Sequence, residues 1–278
     1  MTRVILLAAL PQEYGPLKKL VGPWRLVERR PFKKFAHVTE DKEILLVETG
    51  MGKAMVLKAL EREVKSNPPD LLISLGFAGS LCEDFAVEDV LLGKTLIGLS
   101  EGDHETRQAS SYPTESEILR FEPSPHLLGF CRDTGVRQAQ IVTVARPESK
   151  PPLSLHFKDT QSLMDMESFH VARAAEEAGI PFLCFRAVSD GLHDEIDFDL
   201  DRLIDPSGRV RISAVLATVA LHPGLVRSFY TSWRRSAKAA RRLGEVLAAL
   251  LRMDGRDLRG LGLHASFTLD PDLRQSSP

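Results

Sequence analysis

Three acidic residues stand where the chain reaches the end of a predicted strand or the start of a helix. Asp190 closes PFLCFRAVSD (181–190), and Glu13 follows VILLAAL (4–10). Glu167 lies in LMDMES (163–168), which opens a helical pattern running through Val171, Ala174 and Ala175 to Gly179. Asp165 is the predicted N-cap of that helix, and Gly179 followed by Pro181 is its stop signal. The strand 181–188 is almost wholly apolar, as expected for a sheet covered on both faces. Ligands in open α/β sheets bind beyond the carboxyl ends of strands. Carboxylates gathered there can transfer a proton or bind hydroxyls. The same residues also have ordinary uses: Glu13 and Glu167 favour helix dipoles, and Asp190 caps a turn.

Two glycine-rich turns lie near these acids in the predicted order. Thr49-Gly50-Met51-Gly52-Lys53 follows the strand 44–48 and leads into a helix over 54–65, so its N–H groups can face an anion or a sugar. It is no Walker A loop, because Ala54 follows Lys53 and the upstream glycine is missing. Gly76-Phe77-Ala78-Gly79-Ser80 follows the strand 71–75 and lets backbone approach a ligand closely. It is no nucleophile elbow, because Phe77 and Ala78 occupy the middle positions.

The elements that must position these residues alternate between strand and helix. A hairpin is predicted over 24–30 and 35–39, further strands over 90–99 and 140–145, and helices over 126–134, 153–162 and 210–221. Gly93 marks a bulge in the strand 90–99. Residues 100–125 read as a long surface loop. Asp197, Asp199 and Asp201 imitate a calcium loop, but Arg202 replaces its turn glycine and Gly208 its closing glutamate, so a solvated acidic loop is expected. The pattern implies one α/β domain over 1–252 with a mixed sheet, followed by a loosely ordered tail over 253–278.

Composition narrows the function classes. A formal net charge of -2 over 278 residues gives no reason to expect nucleic acid. Cys82, Cys131 and Cys184 form neither a disulfide framework nor a metal-type pair. The N-terminus lacks a signal peptide's form, and no apolar run is long enough to span a bilayer, so a cytoplasmic protein is expected. In the last long helix, 225–252, Val226, Phe229, Trp233, Ala237, Ala240, Leu243 and Leu247 recur at helical spacing. Arg227, Arg234, Arg235, Lys238, Arg241 and Arg242 crowd its other face. That pattern suits a packed helix with a solvated basic face, or peripheral contact with an anionic membrane surface.

Taken in order, ILLAALPQE (5–13), ETGMGKA (48–54), ISLGFAGSL (73–81), MDMES (164–168) and FRAVSD (185–190) resemble the nucleoside phosphorylase and nucleosidase superfamily. The resemblance is to its methylthioadenosine/S-adenosylhomocysteine nucleosidase branch and spans about residues 3 to 195. It implies a three-layer α/β/α sandwich around a mixed, partly closed sheet, with a C-terminal helical extension. It also implies cleavage of a purine N-glycosidic bond without metal or organic cofactor, in a homo-oligomer. Asp190 then matches the acid that protonates the leaving purine, and Ser189 the hydroxyl that holds it. Glu167 matches the carboxylate on the ribose hydroxyls, and Met166 a methionine packed on the sugar. Glu13 matches the group that orients or deprotonates the attacking water, and Arg186 an arginine beside it. Phe77, Ala78 and Gly79 fall in the substrate turn, where Phe77 replaces the family's small hydroxyl residue.

The GFAG turn, TVARPESKPPL (143–153) and HPGLVRSFYTSWRRSAKAARRL (222–243) are similar to a sub-branch, the hopanoid-associated phosphorylases or adenosylhopane nucleosidases. That similarity implies an adenosyl lipid as substrate and gives the basic helix a use at a membrane surface. Phosphorolysis needs cations around phosphate. Neither glycine turn holds an arginine and Glu13 would repel phosphate, so hydrolysis is expected. A phosphorylase and a non-catalytic nucleoside-binding protein are the alternatives.

Overall fold

Four strands rich in apolar residues run parallel and end at one edge. They are β1 (Thr2–Ala8), β4 (Lys42–Glu48), β5 (Leu71–Ser80) and β10 (Phe182–Asp190). The computed structural model of the chain describes residues 1–99, 116–146, 149–194 and 226–269. On one side of β1 and β4 the sheet continues antiparallel through β3 (Lys33–Val38) to β2 (Arg25–Glu28). On the other side β5 continues through β9 (Ser162–Asp165), β8 (Arg137–Thr143) and β6 (Val90–Leu99). Because β10 pairs with both β5 and β6, these five strands close into a small barrel. The mixed, partly closed sheet expected from the sequence is thus present. Register slips between Gly93 and Thr95, at the expected bulge in β6.

Helices cover the sheet. Helix α1 (Pro11–Val21) follows β1, α2 (Lys53–Ser66) follows β4, and α5 (Ser168–Glu177) precedes β10. Between them come α3 (Pro125–Thr134) and α4 (Lys150–His156). A long α6 (Val226–Leu251) packs on α1 and β10, while α2 packs against α5. The main apolar core takes in β1, β4, β5 and β10 together with Leu243, Val246, Leu247 and Leu250 of α6. A smaller cluster under α4 holds Leu81, Ile97, Ile118, Val142 and Phe157, with Met166 packed on it.

Four sequence expectations change. Residues 116–121, predicted as loop, form β7 (Ser116–Phe121), an antiparallel partner of β6. Asp165 ends β9 instead of capping a helix in the usual place; α5 begins at Ser168, whose N–H donates to the Asp165 carboxylate. The helix predicted over 153–162 lies at Lys150–His156, because Pro151 and Pro152 suit a helix's first turn. Of the tail expected to be loose over 253–278, the described part, to residue 269, forms α7 (Gly255–Gly260), capped by Asp254, and β11 (Ala265–Leu269) on the edge of β7. Short polar segments lack periodicity, so only a neighbouring strand reveals them as sheet. The predicted helix 210–221 and the acidic run through Asp197, Asp199 and Asp201 lie outside the described residues.

Helices α1 and α6 approach closely at Gly244. A Cβ there would lie 2.9 Å from the Leu17 backbone nitrogen and 3.0 Å from Pro16 Cβ. Gly244→Val should therefore destabilise the fold by about 1–3 kcal/mol through overpacking. Denaturant unfolding checks this, and an unchanged midpoint would contradict it.

Candidate active site

The parallel edge carries a small, acid-lined pocket. Its wall includes Ala8 and Ala9 after β1, Glu13 of α1, Thr49 after β4, Ser74 and Phe77 of β5, Glu167 before α5 and Arg186 of β10. Its cavity volume is about 10 Å³, the room needed by one water. Glu13 is buried there and held by two backbone donors, Leu10 N at 2.8 Å and Phe77 N at 3.1 Å. Burial raises its pKa above the ordinary carboxyl value, although those N–H groups and Arg186 oppose the shift. Gly76 leaves the space for this arrangement: a Cβ there would lie 2.7 Å from Glu13 Oε1 and 3.5 Å from Arg186 Nη1.

Glu167 faces Glu13 across the pocket. Its Oε1 accepts from Gly52 N at 2.7 Å. Gly50 and Gly52 hold φ of 80° and 90°, which only glycine adopts freely. The glycine turn expected to face an anion therefore faces one of the protein's own carboxylates. Burial and the charge of Asp165 push Glu167 up to about 7, against the Gly52 bond and Arg186.

Arg186 is buried, and all three of its nitrogens are engaged, through three of its five N–H groups. Nε donates to Asp165 Oδ2 at 2.8 Å, Nη2 to Ser74 Oγ at 3.0 Å and Nη1 to the Phe185 carbonyl at 3.1 Å. Asp165 also accepts from Thr143 Oγ1 at 2.7 Å and from Ser168. The sequence reading treated Asp165 only as a helix cap; its real partner is a guanidinium 21 residues away in the chain.

Asp190 stands apart from this group. Gly76 pairs with Arg186 and Gly79 with Asp190, so Asp190 lies roughly 10 Å further along the same two strands. The three-residue step also points the Cβ directions of Gly76 and Gly79 to opposite faces. Asp190 accepts from Ser189 Oγ at 2.5 Å through Oδ1, and pairs with Lys150 Nζ through Oδ2. A Cβ on Gly79 would lie 2.7 Å from Asp190 Oδ2 and 2.8 Å from Lys150 Cε, so this glycine makes room for the pair.

The structure therefore gathers Glu13, Glu167, Arg186 and Phe77 in one pocket. It sets Ser189, Asp190 and Gly79 at the adjoining strand ends, with Ala78 buried between and Met166 on the smaller core cluster. Sequence reasoning missed Lys150 and the Asp165–Arg186 pair. The only trace of Lys150 was a lone lysine before two prolines. Among the described residues, no group of three or more His, Cys, Asp or Glu side chains could hold a metal ion.

A mixed sheet closed in part by five strands, with carboxylates gathered at the ends of its parallel strands, defines an α/β protein with an acid-lined pocket at that edge. The chain belongs to the phosphorylase superfamily, whose family model matches residues 3–220. A 5'-methylthioadenosine/S-adenosylhomocysteine nucleosidase of Listeria monocytogenes is 23% identical over 188 residues, covering 63% of this chain and 80% of the relative. The Helicobacter pylori nucleosidase of the same name, solved with butyl-thio-DADMe-Immucillin-A, superposes with a TM-score of 0.64. That match has 14% identity and covers 90% of this chain and 98% of that one. The futalosine hydrolase of Helicobacter pylori gives a TM-score of 0.64 at 15% identity, covering 91% and 98%.

The raised Glu167 has a consequence for stability. In the folded protein it keeps its proton to about 7, whereas its ordinary value is 4.5. The native state thus binds more protons across that window, and stability falls as pH rises through it. Glu167→Gln should make the fall from pH 5 to pH 7 shallower, by up to about 1.4 kcal/mol per pH unit. Urea unfolding at several pH values reads this out, and parallel wild-type and mutant profiles would refute it.

Proposed function

We propose that the chain is a nucleosidase that hydrolyses the N-glycosidic bond of an adenosyl compound and releases adenine. The observation that carries this reading is the one-water pocket in which Glu13, held by Leu10 and Phe77 N–H groups, faces Glu167 beside Arg186. Glycosidic scission builds positive charge on the sugar, so carboxylates flanking it stabilise the transition state. In this reading Glu13 orients the attacking water and accepts its proton. Glu167 binds the sugar hydroxyls, and Met166 packs beneath the sugar. Asp190, steadied by Ser189, passes a proton to the departing base, while Phe77, Ala78 and Gly79 border the base. Hydrolysis is favoured over phosphorolysis because, among the described residues, the nearby cations are already paired with carboxylates: Arg186 with Asp165 and Lys150 with Asp190. Homo-oligomerisation belongs to the same reading, from the resemblance alone.

The expected outcome is free adenine from methylthioadenosine or another adenosyl nucleoside, at a rate independent of added phosphate. Glu13→Gln and Asp190→Asn should each lower kcat by about 10²-fold or more. A strict phosphate requirement would favour a phosphorylase. No adenine from any adenosyl compound would favour a binding protein.

The lipid-linked substrate carries a second expectation, contact of α6 with an anionic lipid surface. Tyr230 and Trp233 are 56% and 63% exposed, and their rings stack 6.2 Å apart. Much of the basic face is engaged within the fold: Arg235 pairs with Asp194, Lys238 with Glu88, and Arg241 with Glu245. Contact is therefore expected around 230–234, where aromatic rings sit beside Arg234. The protein should sediment with vesicles of anionic phospholipid, and Tyr230→Ala with Trp233→Ala should weaken this several-fold. Equal sedimentation of the double variant would discard the idea.

A further inference from the structure

Lys150 is a buried lysine whose three ammonium protons meet three acceptors. Nζ pairs with Asp190 Oδ2, donates to the Gly191 carbonyl at 2.6 Å, and reaches the Asp194 carbonyl at 3.2 Å. The residue is 5% exposed, and Gly79 clears the space that its Cε occupies. Other charged groups nearby are already matched. The Asp194 carboxylate accepts from Gly191 N and pairs with Arg235 of α6, and His193 contacts Glu83 on the far side of the loop. Among the described residues, Lys150 thus faces one carboxylate that has no other cation, Asp190.

An acid that has protonated a leaving base must be reloaded before the next turnover and needs a source for that proton. The group touching Asp190 Oδ2 is the Lys150 ammonium. We propose that Lys150 is that source: it acts through Asp190 as a positioning residue that both orients the carboxyl and loads it. This rests on the reading of Asp190 as the proton donor.

The step balances within the pair. A Lys150 Nζ–H bond breaks as an Asp190 Oδ2–H bond forms. That O–H bond breaks as an N–H bond forms on the departing base, whose bond to the sugar carbon takes its electron pair to the base. Lys150 becomes a neutral amine with two N–H bonds left, matching the two backbone carbonyls of Gly191 and Asp194. Water attacks the sugar carbon and loses a proton to Glu13, which releases it to solvent, and solvent reprotonates Lys150. A lysine can make this exchange, whereas an arginine, which does not deprotonate in proteins, cannot.

The test compares kcat and KM from pH 5 to 9 for the full chain and for Lys150→Arg, Lys150→Met and Asp190→Asn, with methylthioadenosine as substrate. Lys150→Arg is expected to keep KM and lose at least about tenfold in kcat at pH 8. Lys150→Met is expected to lose more at pH 8 than at pH 5, because solvent then loads Asp190 directly and does so better in acid. Wild-type kcat in Lys150→Arg across the whole range would overturn the proposal. So would a Lys150→Met defect of equal size at every pH. If Lys150→Met does not fold, the arginine variant decides alone. Full activity in Asp190→Asn would instead remove the acid reading itself. An inactive Asp190→Asn beside a fully active Lys150→Arg would remove only the part given to Lys150.

Discussion

A carboxylate buried inside a closed sheet must be neutralised by a partner that is equally buried. Asp165 meets this need with Arg186, and the rest of the site hangs on that pair. Asp165 ends β9 and takes hydrogen bonds from Thr143 of β8, from Ser168 at the start of α5 and from Arg186 of β10. Arg186 reaches on to Ser74 of β5. One ion pair thus joins four of the five barrel strands and sets where α5 begins. Removing either partner would leave an uncompensated charge in the core, a loss of roughly 3–5 kcal/mol. Its chemical consequence is that the arginine beside the pocket is held still and partly neutralised, and is poorly placed to grip a free anion.

Around that anchor the acidic side chains are kept under electrostatic tension by burial. Glu13 and Glu167 share a pocket of one-water size, and each is steadied by backbone N–H groups. Those bonds favour the carboxylates, yet desolvation outweighs them and both groups bind protons more tightly than in water. Glu167, pushed up to about 7, can exchange protons near neutrality, as general acid–base work requires. Asp190 is managed differently, with a hydroxyl on one oxygen and an ammonium on the other. The two groups therefore carry opposite electrostatic designs, an acid-rich pocket and an ion pair further along the strands.

Glycine placement connects this electrostatics to the backbone. Gly76 and Gly79 lie on one strand, and a methyl group at either would strike the carboxylate beside it. Gly52 turns its N–H toward Glu167 through a left-handed backbone. Outside the site, Gly244 lets α6 settle against α1, bringing Arg235 to Asp194 in the loop that also receives Lys150. The C-terminal helix is thereby joined to the Lys150–Asp190 pair through that single loop.

Much of the architecture was legible in the residues. Continuous apolar runs such as 4–10, 71–75 and 181–188 marked strands buried on both faces, because only a doubly covered sheet needs both faces apolar. Gly93 marked its bulge, and MDMES with FRAVSD carried the family resemblance and the positions of Glu167, Arg186 and Asp190. Strands β7, β9 and β11 were illegible, since short edge or barrel strands take their identity from the partner they pair with. The same holds for the contacts that set charge. Asp165 finds Arg186, Gly52 finds Glu167 115 residues away, and Lys150 finds Asp190 only after the barrel has closed. Residue type and local pattern determine which groups can do chemistry. Which charge each one sees depends on distance through space, and folding alone decides that.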